Sequence, residues 1–130
     1  SRPARVLLVE DDRMVARTVQ ACLERSEMQV TCCEDGATAL SVFTRDPGAF
    51  DLLLTDQFLT GLDGSEVVRE VRRYRPRLPA IIMTGHPEGI QNGDVEALGL
   101  AATLIKPFVP SKLLNVVKAA LGKAEQRAEG

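Results

Sequence analysis

The sequence lacks a dense positive field, a long apolar run and a closely spaced cysteine pair, and each absence argues against a class of function. Lys and Arg number 16 against 18 Asp and Glu, a formal net charge of -2, so charge alone would not draw nucleic acid or anionic lipid to it. The longest apolar stretches, such as 6–9 and 80–83, fall far short of the roughly 20 residues that a membrane span requires. The expectation is a soluble, cytoplasmic protein with no membrane and no direct nucleic-acid partner. No basic and apolar leader opens the chain, so no secretory signal is read in it, and Ser1 in place of an initiator Met favours a domain cut from something longer. Cys22, Cys32 and Cys33 are odd in number and lack CxxC spacing. That argues against zinc or a disulfide framework and suits reduced packing residues.

What is present is enough apolar material for one core. With 130 residues and 45% hydrophobic content, the chain supports one substantial domain and is too short for two. Apolar runs alternate with helix-period segments. After the run 6–9, Val15, Val19, Cys22 and Leu23 line one helical face. Met28, Val30 and Cys32 alternate with Gln29 and Thr31, the pattern of a strand near a sheet edge. A second helix fits 37–43. The runs 52–54 and 80–83 are unbroken, as in central parallel strands covered on both faces. Between them Val67, Val68 and Val71 mark a helix over 66–73, which Pro76 and Pro79 bring to an end. Gly89 and Gly93 interrupt 87–98, predicting a short or mobile fourth helix. A fifth strand fits 102–105. The last helix opens near Pro110 and Ser111, turns Leu113, Leu114, Val117, Ala120 and Leu121 inward, and gives way to a polar tail from Gly122. Five strands alternating with five helices predict an α/β fold, a doubly wound parallel sheet that presents ligands at the carboxyl ends of its strands.

Those ends carry polar groups. The first strand runs into Glu10, Asp11 and Asp12, the third ends at Thr55 and Asp56, the fourth at Thr84 and Gly85, and the fifth at Lys106 and Pro107. Converging carboxylates repel one another unless a cation neutralises them. A hard divalent ion with oxygen ligands meets that need, Mg²⁺ first. An ionised carboxylate can also attack phosphorus to give an acyl phosphate, and Asp56 has the setting for it if the metal and Lys106 draw charge from the phosphoryl oxygens. Thr84 could donate a hydrogen bond to the same oxygens. Taken singly each residue has a plainer explanation: Asp12 as the N-cap of the first helix, Lys106-Pro107 and Thr84 as loop chemistry. Their joint order at successive strand exits is what points to metal and phosphoryl chemistry.

The segments VLLVEDD, FDLLLTDQFLTGLDG, PAIIMTG and LIKPF resemble the receiver domains of two-component response regulators and hybrid sensor histidine kinases, over nearly the whole chain. The resemblance implies a flavodoxin-like sheet of order 2-1-3-4-5, with a tail over 1–4, the receiver domain over 5–122 and a polar tail over 123–130. It implies that Asp56 is the phosphoacceptor and that Lys106 binds the phosphoryl group across a cis Lys106-Pro107 bond. Thr84 would be the switch hydroxyl. Glu10, Asp11, Asp56 and the backbone carbonyl of Phe58 would hold Mg²⁺, with Mn²⁺ as a substitute. The implied partners are a histidine kinase or a histidine phosphotransfer protein and a downstream output domain or protein, reached through the fourth helix, fifth strand and fifth helix. A homodimer formed on phosphorylation is compatible with it. On this reading the domain is not a stand-alone enzyme, although it assists its own phosphorylation and dephosphorylation.

Two positions depart from the family pattern, and two others bear on the lifetime of the acyl phosphate. Thr60 stands where a proline usually follows the phosphoacceptor by four, and Thr103 stands where many relatives carry the aromatic that swings behind the threonine. Phe58 and His86 occupy two positions that influence attack of water on the acyl phosphate. Phe58 is expected to shield it, and His86 to face solvent unless it positions water. Phe108 is expected to anchor the last helix. The rival reading is a pseudo-receiver, a phosphorylation-independent interaction module. An aspartyl-phosphate hydrolase would want a second Asp where Phe58 stands, and a flavin-binding protein would not place Glu10, Asp11 and Asp12 against a phosphate.

Overall fold

Three strands of the computed structural model are buried along almost their whole length: β1 (Arg5–Val9), β3 (Leu52–Asp56) and β4 (Ala80–Thr84). The structure describes residues 2–86, 88, 90 and 92–129. With β2 (Gln29–Cys33) and β5 (Ala102–Ile105), these strands form one parallel sheet, as the apolar pattern predicts, in the order β2-β1-β3-β4-β5 that the family resemblance implies. The helices are α1 (Arg13–Arg25), α2 (Gly36–Arg45), α3 (Gly64–Arg72), α4 (Asn92–Leu98) and α5 (Pro110–Glu129).

The unbroken apolar runs are needed because alternate residues of each central strand enter different cores. Leu7, Val9, Leu53, Ala80 and Ile82 face a cluster with Phe43 of α2, Val67, Val68 and Val71 of α3, and Leu98 of α4. Val6, Leu8, Leu52, Leu54, Ile81 and Met83 face the other, with Val19, Cys22 and Leu23 of α1 and Leu113, Val117 and Ala120 of α5. Each fully buried aliphatic side chain stabilises the fold by about 1.5–3 kcal/mol relative to exposure. This layering places the sheet's carboxyl edge as a rigid platform: Val9 pairs with Thr55, Asp56 with Met83, and Thr84 with Ile105.

Local chemistry sets the helix starts. The Asp12 side chain accepts the N–H groups of Met14 and Val15, and Asp35 accepts that of Thr38. Asp63 and Glu66 form a reciprocal capping box at α3.

Several boundaries differ from the sequence expectation. Cys32, expected to pack, is exposed, while Cys33 is buried. Cys32 shares a strand face with Val30, which packs partly buried against the α1–α5 core, but β2 is an edge strand and that core does not extend to Cys32. Partial burial, then the nearby carboxylates of Glu10 and Glu34, raise its thiol pKa, which makes it a poor nucleophile. A single 3₁₀ turn at Pro47–Ala49 was not expected, because three residues carry no readable period. Helix α5 continues through the polar segment to Glu129, past Gly122. The short fourth helix is present over Asn92–Leu98, and Pro87 and Gly89 lie outside the described residues.

At the opposite edge of the sheet Asp51 ties the amino ends of β1 and β3 together. It accepts two hydrogen bonds from the Arg2 guanidinium, at 2.6 and 2.9 Å, and the Arg5 N–H at 2.8 Å. The Arg2 pair holds its carboxyl below the usual aspartate range, against the opposing effect of partial burial and with the help of Arg5. A depressed folded-state pKa contributes stability above the unfolded value and loses it as pH falls through the folded one. Asp51→Ala is therefore expected to destabilise by about 1 kcal/mol at neutral pH, chiefly through the Arg5 N–H, since the exposed ion pair adds little. The deficit should shrink in acid, which chemical denaturation at a series of pH values would read.

Candidate functional site

At the carboxyl edge, Glu10 follows β1 directly and is 2% exposed, while Asp56 ends β3 and is 7% exposed. Both reach the same ammonium group. Lys106 Nζ donates to Glu10 Oε1 at 2.7 Å and to Asp56 Oδ2 at 3.1 Å. Burial acts to lower the Lys106 pKa, but the hydrogen bonds to Glu10 and Asp56 outweigh it and leave the pKa above the ordinary lysine value. The amine is thus held as a cation. It is delivered by the turn after β5, where the Lys106-Pro107 bond is cis and the Lys106 N–H donates to Thr84 O at 2.8 Å.

Asp11 completes an acidic trio. Glu10, Asp11 and Asp56 each offer a carboxylate oxygen, with these atoms all within 4.8 Å of one another, and Asp11 is exposed while the other two are buried. The second Glu10 oxygen, Oε2, accepts the Asp12 N–H at 3.1 Å, which fixes the carboxylate ahead of α1. Three carboxylates face one ammonium, so the cluster keeps an excess of negative charge that a hard cation with oxygen ligands would balance. The open side at Asp11 leaves room for water among the ligands. The donor set therefore fits Mg²⁺.

Thr84, at the end of β4, is fully buried. Its hydroxyl accepts the His86 N–H at 3.0 Å and donates to His86 O at 3.2 Å. The hydroxyl is thus engaged in its own turn, and a bond to a ligand beside Asp56 requires it to leave that turn. Phe58 is 52% exposed, and its ring meets the His86 imidazole edge-on at 5.8 Å. His86 is otherwise exposed and lies 3.5 Å from Glu88. Phe108 packs partly buried against the α1–α5 core, as an anchor would. Thr60 and Thr103 are exposed.

Sequence reasoning overlooked the residues that hold the loop after Asp56. Gln57 is buried, and its side-chain oxygen accepts both the Ser65 N–H at 2.9 Å and the Ser65 hydroxyl at 3.0 Å. Its backbone oxygen accepts the Gly64 N–H at 2.9 Å. Nothing in local pattern signals a pairing eight residues apart across a loop. The Asp63-x-x-Glu66 capping box beside it was readable.

A family model described as the response regulator receiver domain matches residues 6–118. The chain belongs to that family. Receiver domains of two-component response regulators act as phosphoacceptors and generally bind Mg²⁺ through an acidic pocket. The chain is 35% identical over 123 residues to the response regulator protein FleR of Pseudomonas aeruginosa, covering 92% of this chain and 25% of FleR. It is 34% identical over 114 residues to the response regulator receiver protein CpdR of Brucella abortus, covering 88% and 93%. It therefore spans a quarter of one relative and nearly all of the other. Among solved structures, the chemotaxis response regulator CheY4 of Vibrio cholerae superposes with a TM-score of 0.80 at 27% identity, over 91% of this chain and 98% of that one. The signal receiver domain of an HD domain-containing protein from Pseudomonas fluorescens gives 0.89 at 21% identity, over 99% and 94%, a likeness of fold alone. Among the described residues, no helix is long and apolar enough to cross a membrane.

Proposed function

We propose that this receiver domain takes a phosphoryl group onto Asp56 in a Mg²⁺-dependent reaction, with Mn²⁺ able to substitute, and that the acyl phosphate then changes its output surface. The observation that carries the reading is the shared Lys106 ammonium between Glu10 and Asp56, beside Asp11, at the ends of β1, β3 and β5. Glu10, Asp11, Asp56 and the Phe58 carbonyl would hold the metal, which when bound supplies positive charge to the phosphoryl oxygens.

The chain's own residues do the remainder. The Asp56 carboxylate accepts a hydrogen bond from the Lys106 ammonium, and a carboxylate nucleophile needs no general base. One carboxylate oxygen forms the bond to phosphorus as the bond from phosphorus to the donor's imidazole nitrogen breaks, and the imidazole leaves with that electron pair. Lys106 has its ammonium already in place for the charge on the phosphoryl oxygens, so little reorganisation is required. The donor is the phosphohistidine of a histidine kinase or a histidine phosphotransfer protein, and the setting is cytoplasmic. Release of Thr84 from its turn towards the new phosphoryl oxygens supplies a contact that exists in one state only, the condition for shifting a population. The domain spans 5–122, and the partner downstream is an output domain or protein reached through α4, β5 and α5.

Incubation with acetyl phosphate, followed by intact mass, tests this. The expected result is a gain of one phosphoryl group that disappears when Mg²⁺ is chelated. No gain in Mg²⁺, with beryllofluoride also failing to bind, would leave a pseudo-receiver. Phe58, half exposed against His86 and two residues beyond Asp56, would screen the acyl phosphate from water. Phe58→Asn is accordingly expected to speed dephosphorylation on the order of tenfold, read from the decay of the phosphorylated mass; an unchanged lifetime would contradict the screening role.

A further inference from the structure

We propose that Gln57 is a positioning residue for the phosphoryl and metal site, acting by fastening the start of the β3–α3 loop to the first turn of α3; the inference rests on the function proposed above. Helix N-termini leave backbone N–H groups without intrahelical partners. In α3 the N–H of Glu66 is taken by Asp63, but those of Gly64 and Ser65 are taken by Gln57, through its backbone and side-chain oxygens. The capping of α3 is therefore shared between Asp63, on the approach to the helix, and the residue next to Asp56.

Gln57 is fixed on its other side as well, because its N–H continues the β3–β4 ladder to Met83 O at 2.9 Å. The residue is 5% exposed, so its two hydrogen bonds to Ser65 are shielded from competition by water. A Cβ on Gly64 would overlap Asp56 O, which shows how closely the helix start abuts the acceptor's backbone. Asp56 and the Phe58 carbonyl flank the fastened residue directly. Release of Gln57 would loosen the backbone of its two neighbours, Asp56, whose side chain carries the carboxylate, and Phe58, whose carbonyl is proposed as a ligand. Supporting residues of this kind commonly shift metal affinity by about 10–100-fold.

The experiment measures Mn²⁺ affinity by electron paramagnetic resonance, with thermal unfolding on the same samples. The proteins are wild type, Asp56→Asn, Gln57→Met, Ser65→Ala and Asp51→Ala. Gln57→Met keeps the length of the side chain without the acceptor, and Ser65→Ala removes one donor should the first variant fail to fold. Asp51→Ala weakens the far end of the same strand and controls for stability alone. The inference expects Gln57→Met to bind Mn²⁺ about tenfold more weakly, Ser65→Ala to fall in between, and Asp51→Ala to bind like wild type. Wild-type affinity in both loop variants would overturn it while leaving the site intact. A loss that tracks melting temperature across all variants, Asp51→Ala included, would reduce Gln57 to a structural role and also overturn it. If Asp56→Asn bound Mn²⁺ as wild type does, the site reading itself would fail and the inference with it.

Discussion

Gly64→Ala is expected to cost about 3 kcal/mol of stability, a fall in melting temperature on the order of 10 °C, and to impair phosphoryl acceptance even where the protein is folded. The added Cβ would overlap Asp56 O and meet Gln57 Cα at 3.0 Å and the Asp56 carbonyl carbon at 3.1 Å. All three are backbone atoms, so no side chain can swing aside. Either α3 withdraws, breaking the Gly64 N–H bond to Gln57 O, or the end of β3 shifts and carries the Asp56 carboxylate with it. Thermal unfolding combined with phosphorylation by acetyl phosphate well below the midpoint would separate the two losses. A wild-type melting temperature would mean that the helix start can retreat without cost, contrary to this packing.

Lys106→Met should have the largest effect on chemistry. The ammonium is the one side-chain cation bonded to both Glu10 and Asp56 among the described residues. Its removal leaves buried carboxylates facing one another, and it takes a preorganised positive charge from the place where the phosphoryl group would sit. Phosphorylation is expected to slow by about 10²–10³. Without metal, the variant should also lose about 2–3 kcal/mol, short of the full cost of breaking a deeply buried pair because Lys106 is partly exposed. Mg²⁺ should then raise the melting temperature more in the variant than in wild type, since metal alone remains to neutralise the cluster. Equal phosphorylation rates would remove Lys106 from the mechanism. An equal Mg²⁺ response would indicate that the carboxylates are already relieved by solvent.

Much of this arrangement was legible in the sequence because its determinants are local. The runs at 52–54 and 80–83 announce strands covered on both faces. Asp12 stands where a cap belongs, and the residues at the strand exits could be ordered without coordinates. Cys32 was misplaced because alternation gives the face of a strand but not how far the covering helix extends along it. The Gln57 contribution to the start of α3 escaped for a related reason. The Gln57–Ser65 bonds depend on a loop returning over seven residues, and no periodicity encodes that return. Thr84 is legible as a hydroxyl at a strand end, but the turn that spends its hydrogen bonds on the His86 backbone is not.

The most direct test of the central claim identifies the phosphorylated atom's residue. The domain would be phosphorylated by acetyl phosphate in Mg²⁺, reduced with borohydride to convert an aspartyl phosphate to homoserine, digested, and read by peptide mass spectrometry. The account predicts homoserine at position 56 alone, absent when Mg²⁺ is withheld. Modification at another carboxylate, or none at Asp56, would contradict it.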